Sequence, residues 1–207
     1  MSTAIISVYR KEGLEDFLNV LFKLNYDTKI ISSGGTARKI EELGYPVTEV
    51  SDYTGFPESP GGLVKTLHPK IHAGILLDPE IPEERKYLEE NGIKPIDMVV
   101  CNLYPFEETV KKKVPYEEII EMIDIGGPTL VRAAAKGALR HGKVFPVIDP
   151  KDYNKVIEDI ILEDDVSLKN EVIKSLAYKA FEHTYEYDKE IKNWLAARRG
   201  VDSGNPK

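Results

Sequence analysis

The stretch Thr28-Lys-Ile-Ile-Ser-Ser-Gly-Gly-Thr36 decides the predicted fold. Residues 28–32 are mostly β-branched, as in a buried strand, and the two glycines that follow turn the chain into a helix from Ala37 to about Leu43. The chain before this stretch has the same order, with an apolar strand at Ala4–Val8 and a helical stripe of apolar residues at Gly13–Leu24. Two strands that are each followed by a helix predict a parallel sheet with right-handed crossovers.

The rest of the chain continues this alternation. Further strands are predicted at Val47–Val50, Asp97–Leu103 and Lys143–Ile148. The last of these belongs at a sheet edge, because Pro146 has no N–H to donate to a neighbouring strand. Ile71–Leu77 is predicted to be a strand or a short turn. Helices are predicted at Pro82–Asn91, Glu107–Lys113, Tyr116–Met122, Pro128–Lys136, Tyr153–Leu162 and Leu168–Ala197. The predicted fold class is therefore α/β, with a mostly parallel central sheet and C-terminal helices.

Length and composition limit the possible functions. The 207 residues are enough for one α/β domain with or without a helical appendage, and the polar residues 198–207 are predicted to form a tail or linker. A net charge of −7 argues against nucleic-acid binding, although a local cluster of Lys and Arg can still bind phosphate. The single cysteine, Cys101, excludes an intrachain disulfide and fits a reducing compartment. Without a signal peptide or an apolar segment of bilayer length, we expect a cytoplasmic protein that does not contact membranes.

Small and basic residues follow the first two predicted strands. Ligands of open parallel sheets bind beyond the carboxyl ends of the strands. Backbone amides at a glycine-rich helix start can donate to a phosphate, and hydroxyl and ammonium groups can add to them. A turn of this kind is often only a turn, but its place between a strand and a helix, near a lysine, favours a phosphate site. Its candidate residues are Ser7, Lys11, Ser33, Gly34, Gly35 and Thr36.

Further candidates lie in a long loop and at the end of the central strand. Ser51–Pro69 has little periodicity, and loops of this length are usually functional. Within it, Lys65 and Thr66 could bind a phosphate or a developing oxyanion. At the strand end, Asn102 could bind a polar ligand edge and Tyr104 could donate a proton, although packing at the rim of the core is an equal alternative for Tyr104. The histidines lack metal-ligand spacing, so we expect no metal site; His68 and His72 are interpreted as loop residues held by backbone hydrogen bonds, and His141 and His183 as surface or packing residues.

The segment Ile123-Asp-Ile-Gly-Gly-Pro128 predicts a helix start. Pro128 suits the first helical position and Gly127 the cap, and the carboxylate of Asp124 lies near the positive end of the helix dipole. Lys136 follows along the same helix. Two interpretations stay open: Asp124 and Lys136 flank a ligand, or Asp124 only caps the helix while Lys136 is solvated. The residues together predict an enzyme or sensor for a small phosphorylated molecule, acting by proton transfer and electrostatics.

Several motifs that occur in order resemble one known family. They are Ser33-Gly-Gly-Thr-Ala37, Thr54-Gly-Phe-Pro57, Val64-Lys-Thr-Leu-His-Pro69, His72-Ala-Gly-Ile75, Cys101-Asn-Leu-Tyr-Pro-Phe106, Ile123-Asp-Ile-Gly-Gly127 and Arg132-Ala-Ala-Ala-Lys136. From about Ile5 to Tyr187, the chain resembles the IMP cyclohydrolase domain of the bifunctional purine-biosynthesis protein that also carries a formyltransferase. This resemblance implies a methylglyoxal-synthase-like three-layer domain over residues 1–197, a homodimer and a nucleotide monophosphate substrate.

The resemblance also implies a reaction and a role for each candidate. The reaction closes 5-formamidoimidazole-4-carboxamide ribonucleotide to IMP with loss of water and requires no metal or redox cofactor. The residues implied to hold the phosphate are Ser7, Lys11, Ser33, Gly34, Gly35 and Thr36. Those implied to line the nucleotide and the reacting group are Lys65, Thr66, Asn102, Asp124, Gly126 and Gly127. Asp124 and Lys136 are expected to handle the proton of the carboxamide, while Lys65, Tyr104 and the helix-start amides stabilise and protonate the formyl oxygen.

The chain departs from the family pattern in three places. Tyr9-Arg10-Lys11 replaces the common Ser-Asp-Lys, and Leu63 replaces a common arginine, for which Arg10 could compensate. The formyltransferase half is absent, which fits either a natural single-function enzyme or an excised domain. A separate or excised formyltransferase domain is an expected partner. A non-catalytic ligand-sensing module of the same fold is the main alternative function, and methylglyoxal synthase itself is a third.

Overall fold

The computed structural model describes residues 2–23, 28–157 and 165–202. Over these ranges the chain forms one five-stranded parallel sheet in the order β3-β2-β1-β4-β5. Ile5 of the central strand pairs in register with Ile31 on one side and Val99 on the other. The strands are β1 (Ser2–Val8), β2 (Thr28–Ser32), β3 (Thr48–Glu49), β4 (Met98–Asn102) and β5 (Phe145–Val147). The predicted parallel sheet is therefore confirmed, with Pro146 on an edge strand.

Helices connect the strands and cover both faces of the sheet. In chain order they are α1 (Leu14–Lys23), α2 (Gly34–Glu42), α3 (Val50–Thr54), α4 (Pro69–Leu76), α5 (Pro82–Glu90), α6 (Phe106–Lys111), α7 (Tyr116–Ile120), α8 (Gly126–His141), α9 (Tyr153–Val156) and α10 (Val166–Asp202). Short 3₁₀ turns lie at Pro60–Gly62 and Pro150–Asp152. Of the predicted helix Tyr153–Leu162, residues 158–162 lie outside the described residues, as does Leu24 of the first predicted helix.

Alternate residues of the central strands build two separate cores. Ile5 and Val99 face the layer of α4 and α8, whereas Ile6 and Val100 face the layer of α1 and α2. All four side chains are at most 1% exposed. Burying one such side chain contributes about 1.5–3 kcal/mol to stability, so both layers are needed to hold the sheet. The result is the predicted three-layer arrangement.

The long helix α10 packs at the β5 edge and contributes to both cores. Its residues Val172 and Leu176 belong to one core and Ile173 and Ala177 to the other. A helix placed in this way protects an edge strand from pairing with another chain. The helix continues five residues beyond its predicted end at Ala197.

The long helix is also held by an aromatic contact near its carboxyl end. The guanidinium of Arg198 lies 4.8 Å from the ring centroid of Tyr116 and 4.7 Å from that of Trp194. Arg198 thus packs against the domain, although the sequence predicted a polar tail from this position. Residues 203–207 of that predicted tail lie outside the described residues.

The prediction of a strand or short turn at Ile71–Leu77 was wrong, because residues 71–76 lie in helix α4. Pro69 occupies the first helical turn, and Nδ1 of His68 accepts the N–H of Lys70 at 3.1 Å. These are features of a helix start, and they override the β-branched residues of the segment. The predicted loop Ser51–Pro69 also contains regular structure, since α3 and a 3₁₀ turn lie within it.

Two helices begin earlier than predicted, and both starts matter for the site. Helix α2 begins at Gly34, where Ala37 was expected, and α8 begins at Gly126, where Pro128 was expected. The glycines therefore belong to the first turns of the helices, and their backbone N–H groups lie where intrahelical partners are lacking. Among the described residues, no helix is long and apolar enough to span a membrane.

Candidate active site

The carboxyl ends of β1, β2 and β4 meet at one edge of the sheet, where the starts of α2 and α8 also lie. The first group of predicted site residues joins β1 to α2. Oγ1 of Thr36 donates to the carbonyl of Val8 at 2.9 Å and accepts the Val8 N–H at 3.2 Å. Nζ of Lys11 donates to the carbonyl of Tyr9 at 3.2 Å. The hydroxyl of Thr36 is thus used to fasten α2 to β1, which leaves the backbone N–H of Thr36 as the group that could meet a phosphate.

Ser33 and Gly34 shape the start of α2. Ser33 holds the cap position with extended backbone (φ −145°, ψ 155°), and its hydroxyl makes no capping hydrogen bond within the described part of the chain. Gly34 has φ +55°, a conformation that L side chains rarely adopt. A free hydroxyl beside exposed helix-start amides is a suitable arrangement for an anion.

Lys65 reaches this helix start across two glycines. A Cβ placed on Gly34 would lie 2.6 Å from Nζ of Lys65, and one on Gly62 would lie 2.7 Å from the same atom and still closer to its Cε. Side chains at either position would displace the lysine, so the two glycines form the channel in which it lies. The long loop therefore brings an ammonium group to the start of α2, beside the predicted phosphate site.

Two carboxylates that sequence reasoning missed surround Lys65. Glu58 forms an ion pair with its ammonium group. The pKa of Glu49 is raised mainly by burial and further by the charge of Glu58, while Lys65 and the N–H of Gly34 oppose the shift. The local sequence does not distinguish Glu58 from the many other acidic residues of the chain. For Glu49, its position near the end of a short predicted strand was the one available sign that it lies at the site.

The start of α8 lies beside Thr66 and carries Asp124. A Cβ on Gly126 would lie 3.0 Å from Oγ1 of Thr66. The N–H of Gly127 donates to Oδ1 of Asp124 at 2.8 Å, and a Cβ on Gly127 would collide with Oδ2. Asp124 therefore does interact with the helix start, as its capping interpretation predicted. Burial raises the pKa of Asp124, although nearby N–H groups, first that of Gly127, oppose this rise.

Tyr104 lies next to Asp124 at the end of β4. Tyr104 is 42% exposed. Its pKa is raised, mainly by partial burial and further by the charge of Asp124, while the charge of Lys65 opposes this rise. Its ring lies 5.4 Å, between centroids, from that of Tyr9, a further residue that was not among the predicted site residues. The phenol of Tyr104 lies close enough to the Asp124 carboxylate and the Lys65 ammonium group to be affected by both charges, and it could donate a proton to a ligand there.

Asn102 supports the site through the backbone. Its Oδ1 accepts the N–H groups of Tyr9 at 2.7 Å and Arg10 at 3.0 Å, and its Nδ2 donates to the Arg10 carbonyl at 2.8 Å. Three of its hydrogen-bonding positions are thus used to fix the turn after β1. One N–H of the Asn102 side chain is left to bind a polar edge of a ligand, the role that was predicted for this residue.

The structure separates Asp124 from Lys136 within one chain, and their expected role as a pair stays a prediction. Lys136 lies nine residues beyond Gly127 on the continuous helix α8, which places it about 14 Å farther along the helix axis. Its side chain is exposed, as the solvated interpretation predicted. The suggested compensation by Arg10 for Leu63 has no support either, because Arg10 forms an ion pair with Glu108 and Leu63 is 67% exposed.

Two cavities adjoin these residues. One of about 310 Å³ is lined by Ser33, Lys65 and Glu58 together with the apolar side chains of Val50 and Phe56. A wider cleft of about 860 Å³ reaches from Tyr104 to α10. Both volumes are in the range of small-molecule sites, about 300–1,000 Å³.

The histidines contribute little to this site. His68 caps α4 through Nδ1, which confirms its interpretation as a loop residue held by the backbone. Nε2 of His72 is buried and has no hydrogen-bond partner among the described residues, and burial lowers the pKa of this histidine. Over residues 2–23, 28–157 and 165–202, no group of three or more His, Cys, Asp or Glu side chains could hold a metal ion.

The chain is similar in sequence to bifunctional purine biosynthesis proteins. A model of the AICARFT/IMPCHase bienzyme family matches residues 134–206. The bifunctional purine biosynthesis protein PurH of Persephonella marina is 52% identical over 203 residues, which cover 98% of this chain and 38% of that protein. The PurH of Aquifex aeolicus is 46% identical over 200 residues, which cover 97% of this chain and 38% of that protein. The chain thus spans 38% of the length of both relatives.

A solved structure agrees in fold. The crystal structure of ForH matches with a TM-score of 0.79 and 28% sequence identity, covering 95% of this chain and 98% of that chain. The resemblance to the purine-biosynthesis bienzyme is confirmed by the relatives and by the bienzyme family model. A model of the MGS-like domain family matches residues 13–129, which is more than half of the chain, and the protein therefore belongs to the MGS-like domain family.

Proposed function

We propose that this chain is an IMP cyclohydrolase, which closes 5-formamidoimidazole-4-carboxamide ribonucleotide to IMP with loss of water. The observation that carries the proposal is the position of Lys65. Its ammonium group lies over Gly34 at the start of α2, and it influences Tyr104 beside Asp124. One lysine thus connects a phosphate-binding helix start with a pair of groups suited to proton transfer.

The chemistry makes modest demands. The carboxamide nitrogen bonds to the formyl carbon and loses a proton, while the formyl oxygen gains a proton and becomes a hydroxyl. That hydroxyl then leaves as water with the hydrogen of the formamide nitrogen. The site must accept a proton from a weakly nucleophilic nitrogen and stabilise charge on the formyl oxygen.

Asp124 is proposed as the proton acceptor. Its Oδ1 is held by the Gly127 N–H, and burial raises its pKa, which makes the carboxylate a better base than an exposed aspartate. Tyr104 and Lys65 are proposed to stabilise and protonate the formyl oxygen, with help from the amides at the start of α8. The phosphate is assigned to the amides of Gly34, Gly35 and Thr36, with Ser7, Lys11 and Ser33 around them.

We keep Lys136 in this proposal as a residue supplied by a second copy of the chain. Its exposed position on α8, about 14 Å along the helix from Gly127, excludes contact with Asp124 of its own chain. The proposal includes a homodimer, a cytoplasmic location and a formyltransferase, separate or on the same natural polypeptide, that supplies the substrate.

The test is a direct assay with the formamido ribonucleotide. Purified protein is expected to form IMP without added metal. The reaction is monitored by the absorbance change that accompanies ring closure. Asp124→Asn is expected to lower kcat about 100-fold or more, since general base catalysis contributes about 10²–10⁴-fold. The matched control is Asp52→Asn, an exposed aspartate of α3, which should leave kcat unchanged. No turnover above the buffer rate would contradict the proposal, and IMP binding without turnover would favour the ligand-sensing alternative.

A further inference from the structure

The hydroxyl of Tyr187 forms two hydrogen bonds directly before helix α8. It accepts the N–H of Asp124 at 2.8 Å and donates to the carbonyl of Met122 at 2.6 Å. The side chain comes from α10, more than sixty residues away in sequence, and is 9% exposed. A buried phenol thus bridges two backbone groups of the segment that carries the proposed base.

The segment between α7 and α8 depends on contacts of this kind. Residues 121–125 lie outside regular helices and strands, so backbone ladders do not hold them in place. The bonds of Tyr187 fix the backbone of Asp124, and the Gly127 N–H fixes its carboxylate at 2.8 Å. Together these contacts set where the carboxylate lies relative to Tyr104.

Tyr187 is itself rigidly supported. Its ring packs against Phe106 at 6.3 Å between centroids, and Trp194, two turns farther along α10, packs edge-on against Phe106 at 5.6 Å. A tyrosine held at both its ring and its hydroxyl transmits the position of α10 to the segment before α8.

We propose that Tyr187 is a positioning residue for the cyclisation, holding the main chain of Asp124 so that its carboxylate meets the carboxamide nitrogen. This inference rests on the proposed function. Its hydroxyl takes no part as an acid, because both of its hydrogen bonds go to the backbone and burial raises its pKa to about 12. Removal of the hydroxyl leaves the Asp124 N–H and the Met122 carbonyl without this partner, and the segment must move to satisfy them.

The loss should fall on kcat. The phosphate cradle is built from the ends of β1 and β2 and the start of α2, whereas the described hydrogen bonds of Tyr187 reach residues 122 and 124. A misplacement of about 1 Å at a reacting group lowers the rate about 100-fold. Nucleotide binding, which depends on the phosphate cradle, should change little.

The experiment compares Tyr187→Phe with Tyr185→Phe in the intact chain. Tyr185 lies on the same helix, is 62% exposed and forms no hydrogen bond to the described residues through its hydroxyl. Tyr187→Phe is expected to lower kcat about 10- to 100-fold, with KM and the Kd of IMP within about twofold, and Tyr185→Phe should match the unmodified protein. Thermal unfolding of each variant is recorded so that assays are run on folded protein.

A double variant separates positioning from general packing. If Tyr187 acts through Asp124, adding Tyr187→Phe to Asp124→Asn should lower kcat no further than Asp124→Asn alone. Retention of kcat in Tyr187→Phe, or multiplication of the two effects in the double variant, would overturn the inference. Should Tyr187→Phe not fold, 4-fluorophenylalanine at this position keeps the ring and loses the donor to Met122, and the same outcomes apply. An inactive unmodified protein would overturn the proposed function as well, whereas an active one with an unaffected Tyr187→Phe variant overturns this inference alone.

Discussion

Gly62→Ala provides a sharp test of the channel that holds Lys65. Gly62 has φ +66°, and a Cβ there would lie 2.7 Å from Nζ of Lys65 and 3.0 Å from Oε1 of Glu58. Carbon atoms in ordinary contact lie about 3.5–4.0 Å apart, so the methyl group and the lysine cannot share this space. The lysine side chain is long and 28% exposed, and it should swing away from Gly34 without disturbing the fold.

The size of the effect follows from two separate contributions. The left-handed backbone conformation costs an alanine about 1–2 kcal/mol of stability. Displacement of Lys65 removes a charged hydrogen bond to the formyl oxygen, worth about 1.5–3 kcal/mol. Since 1.4 kcal/mol corresponds to a factor of ten, kcat/KM should fall about 10- to 150-fold.

Gly55→Ala is the matched control for this variant. Gly55 lies in the same loop with φ +74°, and no described atom lies within 4 Å of a Cβ at this position. Both variants should lose similar thermal stability, whereas the large fall in kcat/KM should be confined to Gly62→Ala. Equal kinetics of the two variants would refute the claim that Gly62 makes room for a functional lysine.

Three further predictions concern the charged groups of the site. Glu58→Gln removes the carboxylate that pairs with Lys65, so calorimetric titration with IMP should show binding a few-fold tighter; weaker binding would contradict this competition. Burial raises the pKa of Asp124, and the base must be ionised, so kcat should rise with pH through that raised pKa. Asp124→Asn should abolish this rise in the pH profile of kcat. The same variant should be more stable than the unmodified protein at neutral pH, because the buried charge of the carboxylate is costly there. Mixed dimers of Lys136→Ala and Asp124→Asn chains should recover about a quarter of the activity of the unmodified protein. Random mixing makes about half of the dimers mixed, and one of the two sites in each mixed dimer keeps both residues. Absence of recovery would remove Lys136 from the site.

The predicted sheet rests on burial patterns that are local in sequence. The β-branched runs at β1, β2 and β4 are bounded by turn residues, and neighbouring helices show an apolar stripe, so the order of elements could be predicted. Ile71–Leu77 could not be assigned in this way, because a short apolar run fits a strand and a buried helix equally well. Contacts that are distant in sequence separate the two possibilities. Helix α4 packs so closely against residue 94 that a Cβ on Gly74 would lie 2.6 Å from the carbonyl oxygen of Lys94.

Candidate site residues could be located most readily where they lie at the ends of elements. Ser33, Gly34 and Asp124 sit at strand ends or helix starts, which sequence patterns can locate. Glu58 could not be found, because its partner Lys65 is brought to it by the fold of a long loop. For Lys136 the spacing alone was informative, since nine residues beyond Gly127 on a helix imply about 14 Å along its axis, too far for a side-chain contact with Asp124 of the same chain.

The central claim is that one site joins the phosphate cradle to Asp124 and Tyr104 through Lys65. The most direct measurement is a crystal structure of the protein with IMP bound. We expect the phosphate at the amides of Gly34 to Thr36, and the base next to Lys65, Asp124 and Tyr104. A phosphate bound elsewhere, or a base that points away from Asp124, would contradict the claim.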